Sequence, residues 1–416
     1  MKETKFKNTE IGRIPEEWET CTILSQSNKL VVAFVGTCEK YYTNKGEGVM
    51  MLRTGDLKER SIDYTNIKYI SYSFHNANKK SQLKKGDILI ARHGSNGHGV
   101  IYDKNDEANS LNFVIVHLID NEYLNSYLVY CLDTNIVREQ IEAATAGSTQ
   151  KVINTKAIGE LIVPKPNILE QQRIASALTS IDNLISSLGK LIEKKKNIKQ
   201  GAMQQLLTGK IRLKEFNEPW VKRKLGDNAT IQRGGSPRPI EAYLTTNRDG
   251  INWIKIGDVR PNDKFIRHTV EKIIPEGISH SRQVYKGDFI LSNSMSFGRP
   301  YILDIDGCIH DGWLVIKDYS NTYDMDFLYY ILSSDTVFEQ YIAMAAGSSV
   351  KNLNKEKVAN VMLFAPQSLA EQQAIAAILT KMDDEITALE ATKTKYEAIK
   401  QGMMQQLLTG KIRLIS

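Results

Sequence analysis

The chain has 416 residues, 42% of them hydrophobic and 25% charged, which is long enough for about two or three folded domains. This composition excludes a disordered, collagen-like or disulfide-dense protein. With 54 Lys and Arg against 48 Asp and Glu, the net charge of +6 permits nucleic-acid binding without requiring it.

The cellular location is predicted from three simple features. The amino terminus, Met-Lys-Glu-Thr-Lys-Phe-Lys, is too polar for the core of a secretory signal. No run of about 18 apolar residues occurs, so no membrane span is predicted. The four cysteines are scattered and form no CxxC pair, which is typical of reduced thiols. We therefore expect a soluble, cytoplasmic protein.

Residues 1–166 have the pattern of a mixed α+β domain. Short apolar runs bounded by Gly, Asn or Asp predict strands at 49–53, 87–91 and 112–116. Residues 123–144 carry the spacing of a helix. The glycine-rich stretch 94–99 has the wrong spacing for a dinucleotide fingerprint and contains no lysine, so it is interpreted as a loop between strands.

Residues 167–209 are predicted to form one long helix. Its apolar residues recur at alternating steps of four and three, which places one narrow stripe on the helix and favours coiled-coil packing. The stripe consists of Ile174, Leu178, Ile181, Ile185, Leu188 and Ile192. The helix begins just past Pro166 and ends at Gly209, where glycine can adopt the left-handed conformation.

The second half of the chain repeats the first. Residues 170–213 and 371–414 align without gaps, roughly 26 of 44 positions are identical, and both segments end in MQQLLTGKIRL. Weaker matches pair Trp18 with Trp220 and Ala146-Gly-Ser with Ala346-Gly-Ser. Residues 210–366 are therefore predicted to form a second mixed domain, in which 325–345 has helical spacing and Trp313–Ile316 is a strand. Residues 367–416 are predicted to form a second long helix with the same stripe.

These elements predict an α+β fold with an internal symmetry. Two similar mixed α/β domains would be separated by two long antiparallel helices that pack as a coiled coil. An approximate, pseudo-two-fold axis would then relate the two domains, and the helices would act as a ruler between them. Removing about one turn from both helices should shorten the distance that this ruler sets.

Signatures of catalysis are missing from the sequence. There is no GxxxxGK[ST] phosphate loop and no Asn/Asp-Pro-Pro-aromatic motif. Phe34-Val-Gly36 starts like a methyl-donor-binding strand end but lacks the second glycine. His93 and His98 have no Cys or acidic neighbour in sequence, so no metal site is expected. The pattern favours a recognition or scaffold protein over an enzyme.

Several motifs together resemble the specificity subunits of type I restriction-modification systems, over essentially the whole chain. Thr9-Glu-Ile-Gly-Arg-Ile-Pro-Glu-Glu-Trp18 looks like the amino-terminal entry of that family. Gly147-Ser-Thr and Gly347-Ser-Ser look like the loop near the end of each recognition domain. Glu170-Gln-Gln and Glu371-Gln-Gln look like the helix entries, and the two copies of Gln-Gln-Leu-Leu-Thr-Gly look like the helix ends.

The resemblance implies a non-catalytic DNA-binding subunit that reads a bipartite, asymmetric target with one domain per half-site. Its partners would be double-stranded DNA, two modification (methyltransferase) subunits and ATP-dependent restriction subunits. S-adenosylmethionine, ATP and Mg would be bound by those partner subunits only, and this chain would hold no cofactor and no metal. Two alternatives stay open: a coiled-coil scaffold that bridges two protein partners without DNA recognition, and an enzyme with an unfamiliar active site.

Candidate DNA-binding residues are polar and basic side chains in the predicted loops, because such side chains reach base edges and phosphates. In the first domain they are Arg53, Arg92, His93, Ser95, Asn96, His98 and Lys151. In the second domain they are Lys255, Arg260, Asn293, Ser294, Ser296, Arg299 and Lys351.

Candidate residues for a subunit interface lie at the two helix ends, which are the same in both copies. They are Gln204, Gln205, Leu206, Leu207, Gln405, Gln406, Leu407 and Leu408. The alternative interpretation is that this segment only closes the helix pair.

Overall fold

The computed structural model describes residues 4–58, 60–93, 97–145, 152–260, 263–293, 297–345 and 353–414. The chain divides into two compact units: unit 1 is Met1–Leu188 with Thr392–Ser416, and unit 2 is Gly189–Ala391. Both boundaries fall inside the long helices, so each unit contains a mixed domain and one part of each helix. Among the described helices, none is both long and apolar enough to cross a membrane.

The strands and helices of the first half are short, apart from one long helix. The strands are β1 Phe6–Thr9, β2 Gly12–Pro15, β3 Glu19–Thr22, β4 Ser27–Val32, β5 Tyr42–Thr43, β6 Val49–Leu52, β7 Leu57–Lys58, β8 Ser61–Ile62, β9 Lys68–Ile70, β10 Gln82–Leu83, β11 Ile88–Ala91, β12 Gly99–Ile101, β13 Ala108–Ser110, β14 Phe113–Leu118 and β15 Ile162–Lys165. The helices are α1 Tyr72–Ala77, α2 Asn125–Leu132, α3 Asn135–Thr145, α4 Thr155–Gly159 and the long α5 Ile168–Leu206.

The second half has a similar succession of elements, with fewer described strands and helices. The strands are β16 Val221–Lys224, β17 Thr230–Arg233, β18 Leu244–Thr245, β19 Ile251–Ile254, β20 Phe265–Ile266, β21 Glu271–Ile273, β22 Arg282–Val284, β23 Phe289–Ser292, β24 Pro300–Leu303, β25 Gly307–Ile309, β26 Trp313–Lys317 and β27 Met362–Ala365. The helices are α6 Met325–Leu332, α7 Asp335–Ala345, α8 Lys355–Ala359 and the long α9 Leu369–Leu407.

Each mixed domain has two principal sheets. In unit 1 the strand orders are β12-β11-β14-β4 and β10-β13-β6-β9-β5. In unit 2 they are β17-β26-β23-β24-β20 and β18-β21-β19-β25-β22. The central strands β11 and β23 are buried along their whole length, as their continuous apolar runs predict. The mixed α+β prediction is confirmed for both domains.

The helical stretch predicted at 123–144 is two helices, and the same holds in unit 2. A polar residue after the first helix interrupts each stretch and caps the second helix. The backbone N–H of Val137 donates to Thr134 Oγ1 and that of Val337 donates to Ser334 Oγ, both at 3.4 Å. The spacing of apolar residues did not predict the break between the two helices, because this pattern contains no information about a capping hydroxyl.

The long helices run antiparallel in each unit. In unit 2, Lys195 pairs with Glu385 at 2.7 Å and Lys199 with Asp383 at 2.5 Å, so rising numbers on α5 meet falling numbers on α9. In unit 1, Lys400 pairs with Asp182 at 2.5 Å, and the later Arg413 pairs with the earlier Glu170 at 2.6 Å. The start of the predicted stripe, from Ile174 to Ile181, is buried, as the coiled-coil interpretation requires.

Candidate nucleic-acid interface

The glycine-rich loop of unit 1, residues 92–98, is joined at its base to the segment that follows α3. The backbone N–H of Ile153 donates to the Arg92 carbonyl at 3.0 Å, and Arg92 Nε donates back to the Ile153 carbonyl at 3.3 Å. The structure therefore joins the glycine-rich loop to the described segment that begins at residue 152. In unit 2 the corresponding bond joins the Leu353 N–H to the Asn293 carbonyl at 3.0 Å.

A glycine fixes the far end of each loop. Gly97 and Gly298 have φ values of +85° and +73°, a region that side chains rarely adopt. A Cβ at Gly97 would come within 2.1 Å of Ile141 Cδ1, and one at Gly298 within 2.7 Å of Tyr341 Cδ2. The left-handed backbone therefore favours glycine at both positions, and each loop passes close to α3 or α7 there.

Some candidates lie outside the described residues, and the others differ in exposure. Those outside are Ser95, Asn96, Lys151, Ser294, Ser296 and Lys351. His93, Arg260 and Arg299 are exposed, and Arg92 is half-buried. Base contact by these side chains stays a prediction.

His98 has an acidic partner that its sequence neighbours do not reveal. Its Nδ1 is hydrogen-bonded to Asp133, which directly follows α2, and Arg60 binds the same carboxylate. The His98 side chain is 44% exposed, whereas that of Asp133 is 8% exposed. The expectation that His98 lacks an acidic neighbour was therefore wrong in space, because α2 brings Asp133 to the loop from 35 residues away.

Arg53 and Lys255 are bound to carboxylates of their own chain. Arg53 Nη2 lies 2.7 Å from Asp56 Oδ1, and these hydrogen bonds raise the pKa of the guanidinium above its ordinary value. Arg53 and Asp56 also line a cavity of about 410 Å³. Lys255 Nζ lies 2.5 Å from Glu271 Oε1. Each cation is therefore partly neutralised by a carboxylate of its own chain.

Asn293 is buried and anchors its loop. Its Nδ2 donates to the Asp311 carbonyl at 2.9 Å, and its backbone N–H donates to the Gly312 carbonyl at 3.0 Å. The prediction that Asn293 is an exposed base-reading residue is therefore corrected in this conformation. The cause is the approach of the 310–312 turn, which covers the amide.

A duplicated ion pair at the helix entries was missed by sequence reasoning. In unit 1 the buried Glu170 accepts hydrogen bonds from Trp18 Nε1 at 2.9 Å and from Arg413 Nε at 2.6 Å. In unit 2 Glu371 accepts from Trp220 Nε1 at 3.0 Å and from Arg212 Nε at 2.7 Å. The repeated Glu-Gln-Gln and Gly-Lys-Ile-Arg motifs were the available signal, since each motif supplies one partner.

A second duplicated network lies along the long helices. The Tyr130 hydroxyl donates to Asp182 Oδ2 at 2.8 Å, and the Tyr330 hydroxyl donates to Asp383 Oδ2 at 2.7 Å. A cation lies over each tyrosine ring: the Arg60 guanidinium is 4.1 Å from the Tyr130 centroid, and Lys264 Nζ is 4.9 Å from that of Tyr330. Each mixed domain is thus bound to a long helix by polar contacts.

The candidate interface residues separate into two groups. The leucines are buried in the chain's own cores: Leu206 and Leu207 in unit 2, Leu407 and Leu408 in unit 1. Their assignment to a partner interface is therefore corrected, because these side chains are already covered by their own unit. The glutamines lie on the surface: Gln204, Gln205 and Gln405 are exposed, and Gln406 is half-buried.

The described part of the chain offers no evident metal centre. Within it, no group of three or more His, Cys, Asp or Glu side chains could hold a metal ion. All four cysteines are free thiols, and burial raises the pKa of Cys21 to about 11 and that of Cys131 to about 12.

Comparison with known proteins gives a consistent family. The model of the type I restriction modification DNA specificity domain matches residues 15–200 and again residues 217–401. A putative type I restriction enzyme MjaX specificity subunit from Methanocaldococcus jannaschii is 28% identical over 99% of this chain and 98% of its own length. The MjaVIII specificity subunit of the same organism is 29% identical over 51% of this chain and 50% of its own length.

Solved structures support the fold. The type I restriction-modification S subunit from M. genitalium is 17% identical, with a TM-score of 0.59 over 94% of this chain and 96% of that one. A chain from a structure on complex assembly and conformational transition of the type I R-M system is 14% identical. Its TM-score is 0.60 over 96% of this chain and 99% of that one.

Proposed function

Because the chain belongs to the family of type I restriction modification DNA specificity domains, we propose that it is the DNA-recognition subunit of a type I restriction-modification complex. Each unit reads one half of a bipartite, asymmetric target. The chain is non-catalytic, as its relatives are specificity subunits. The observation that carries the proposal is the pair of units, alike in framework and different at the joined loops.

The division of labour assigns chemistry to other subunits. The complex contains two modification (methyltransferase) subunits and, for cleavage, ATP-dependent restriction subunits. S-adenosylmethionine, ATP and Mg belong to those partners. The complex acts on cellular DNA, so its location is the cytoplasm.

The loops are suited to DNA because they combine a fixed base with exposed polar side chains beside it. The bonds at Arg92 and Asn293 hold the loop bases, and glycines hold their far ends. Exposed His93 and Arg299 then offer donors for base edges or phosphates. Since these residues differ between the units, the two half-sites differ.

Mapping of methylated adenines in the host genome, with and without this gene, tests DNA recognition. We expect a bipartite asymmetric motif that disappears with the gene. Arg92→Ala and Arg299→Ala should each change one half of the motif only, and weaken binding by roughly 5- to 100-fold, the range of a single contact. A motif that persists without the gene, or no salt-dependent binding to duplex DNA, would favour the scaffold alternative.

The modification subunits require a docking surface on this chain. The ends of the two long helices supply two copies of such a surface. Residues 198–213 and 399–414 are identical at every position but one. Contacts within the chain explain part of this identity: Lys199 and Lys400 form ion pairs, and the leucines fill the cores. Such contacts leave the exposed identical residues unexplained.

Some of those exposed residues lie on one stripe of each helix. Ile198 and Ile399 are 48% and 39% exposed, although they are large and apolar. One turn later come Gly201 and Gly402, where an added Cβ would meet nothing within 4 Å. A glycine inside a helix lowers its stability by about 1 kcal/mol relative to alanine. Packing within the chain does not require a glycine at either position. The close approach of a partner protein's backbone explains why glycine is present at both positions.

The occupant of each stripe is a helix of one modification subunit. Two identical stripes fit two copies of one partner. The exposed Lys194 and Lys395, one turn before the isoleucines, favour carboxylates on that helix. Exposed Gln205 and the half-buried Gln406 extend the stripe with hydrogen-bonding amides.

Replacement of the helix glycines by leucine tests the docking surface. Gly201→Leu or Gly402→Leu should each reduce the number of bound modification subunits from two to one, and the double variant should bind none, as measured by sedimentation of the purified complex. Ser180→Leu and Lys381→Leu, at exposed helix positions outside the stripe, are matched controls that should keep both. Two bound copies in the double variant would refute the surface.

A further inference from the structure

The carboxylate of Asp133 connects three parts of unit 1. It follows α2 directly, and its side chain is 8% exposed. It binds Nδ1 of His98, at the end of the glycine-rich loop, and Nη2 of Arg60, in the turn between β7 and β8. One buried carboxylate therefore restrains two separate surface segments.

Arg60 extends these restraints to the long helix. Its Nη1 donates to the Val129 carbonyl at 3.4 Å, and its guanidinium lies 4.1 Å from the centre of the Tyr130 ring. Its Nε is 3.5 Å from Asp182 Oδ2, on α5. Because the side chain is held from several sides, it fixes the Asp133 carboxylate that it binds.

The bond from Asp133 also orients the His98 ring. A carboxylate at Nδ1 favours the tautomer that carries a proton there, which leaves Nε2 as the second polar atom of a half-exposed ring. Rotation of the ring would break this bond, so its edge has one preferred direction. Fixed polar groups of this kind discriminate between bases better than mobile ones.

The second unit is built differently at the same place. The residue that follows α6 is Ser333, which is exposed and donates its hydroxyl to the Tyr329 carbonyl at 2.7 Å. The position equivalent to His98, one residue after the fixed glycine, is Arg299. Two lysines lie over the Tyr330 ring, Lys264 at 4.9 Å and Lys199 at 5.4 Å from its centroid, and Lys264 also pairs with Asp326 at 2.7 Å.

We propose that Asp133 is a positioning residue for target specificity, and that it acts through His98 on the half-site read by unit 1 alone. This inference rests on the proposed function, since it presupposes that each unit reads one half-site. Asp133 touches no DNA itself. By fixing the direction of the imidazole edge, Asp133 determines which base His98 binds.

The test measures discrimination at each base pair of both half-sites, with the complex of this chain and its modification subunits. Asp133→Ala should lower discrimination about tenfold at one base pair of the first half-site, within the range of a single mismatch. It should leave the second half-site unchanged. Ser333→Ala, at the equivalent position of unit 2, is the matched control and should change neither.

A double-variant cycle separates positioning from a merely structural role. Once His98→Ala is present, Asp133→Ala should have no further effect on discrimination, because its route to the DNA is gone. Asp133→Asn keeps an oxygen that accepts from Nδ1 and should retain most of the discrimination. If Asp133→Ala fails to fold, Asp133→Ser, which introduces the residue found at the equivalent position 333 of unit 2, replaces it in the cycle.

The possible outcomes separate the positioning role of Asp133 from the proposed DNA-recognition function. A wild-type complex without a bipartite target would overturn the proposed function. A wild-type bipartite target, with equal loss at both half-sites or additive effects of the two substitutions, would overturn only the role of Asp133.

Discussion

The helix entries are alike in the two units, whereas the recognition loops differ between them. At the entries, the same tryptophan, glutamate and arginine make the same bonds twice: Trp18 and Arg413 hold Glu170 as Trp220 and Arg212 hold Glu371. At the loops, equivalent positions differ. Duplication therefore preserved the residues with which the framework binds itself and changed those proposed to bind DNA.

The largest expected effect comes from breaking the duplicated ion pair. Glu170→Ala and Glu371→Ala each leave an arginine without its buried partner, which typically lowers the free energy of unfolding by about 3–5 kcal/mol. Glu170→Ala should have the larger effect, because Arg413 is 8% exposed and Arg212 is 29% exposed. Denaturant unfolding measures both.

Glu17→Ala is the control for this comparison. Glu17 also pairs with Arg413, at 3.0 Å, but its side chain is 73% exposed. Its loss should therefore change the free energy of unfolding by less than about 1 kcal/mol. Equal effects of Glu17→Ala and Glu170→Ala would contradict the importance of burial.

Substitution of Tyr130 or Tyr330 should lower the free energy of unfolding by a smaller amount, and equally in the two units. Tyr130→Phe and Tyr330→Phe each remove one hydrogen bond to a carboxylate, worth about 1.5–3 kcal/mol. Because the bonds measure 2.8 and 2.7 Å in the two units, the losses of unfolding free energy should agree. Tyr285→Phe, at an exposed ring, should be neutral. A clear loss in one unit only would show that this part of the framework is not equivalent.

Alanine at the helix glycines should stabilise the chain, with the same sign in both copies. Gly201→Ala and Gly402→Ala add a methyl group that meets nothing, and each should raise the free energy of unfolding by about 0.5–1 kcal/mol. Thermal unfolding of the isolated chain measures this. Gly209→Ala, where φ is +69°, should destabilise instead. Destabilisation by Gly201→Ala would mean that this glycine serves the chain's own fold.

The smallest expected effect concerns the pH dependence of unit 2. Burial lowers the pKa of His310 below its ordinary value of 6.5, so the folded state keeps the ring neutral where the unfolded chain takes up a proton. Stability should therefore decrease as the pH falls below about 6.5. His310→Gln should reduce this slope, and the exposed His268→Gln should not. An unchanged slope in His310→Gln would assign the pH dependence to other groups.

Periodicity and duplication predicted the framework well, because both are properties of sequence. The four-three stripe identified residues such as Leu178 and Leu379, which are fully buried. The same information misassigned Leu206 and Leu407: identity between copies shows a shared environment, but it does not tell a core from a partner.

The candidate site was less predictable because its contacts join distant residues. The bond between His98 and Asp133 crosses 35 positions, and the amide of Asn293 is covered by a turn 18 positions away. Residue type indicated polarity in the loops, whereas burial and partnership depended on the packing of α2 and of the 310–312 turn.

The pairing of Glu170 with Arg413 sets an order of events during synthesis. The first domain emerges early from the ribosome, yet its framework is completed by a residue 243 positions later, near the end of the chain. Unit 2 ends at Ala391, so all of its residues are synthesised before Arg413. The residues of the second unit are thus all synthesised before those of the first are complete, and a chain that stops short of Arg413 lacks the partner of Glu170.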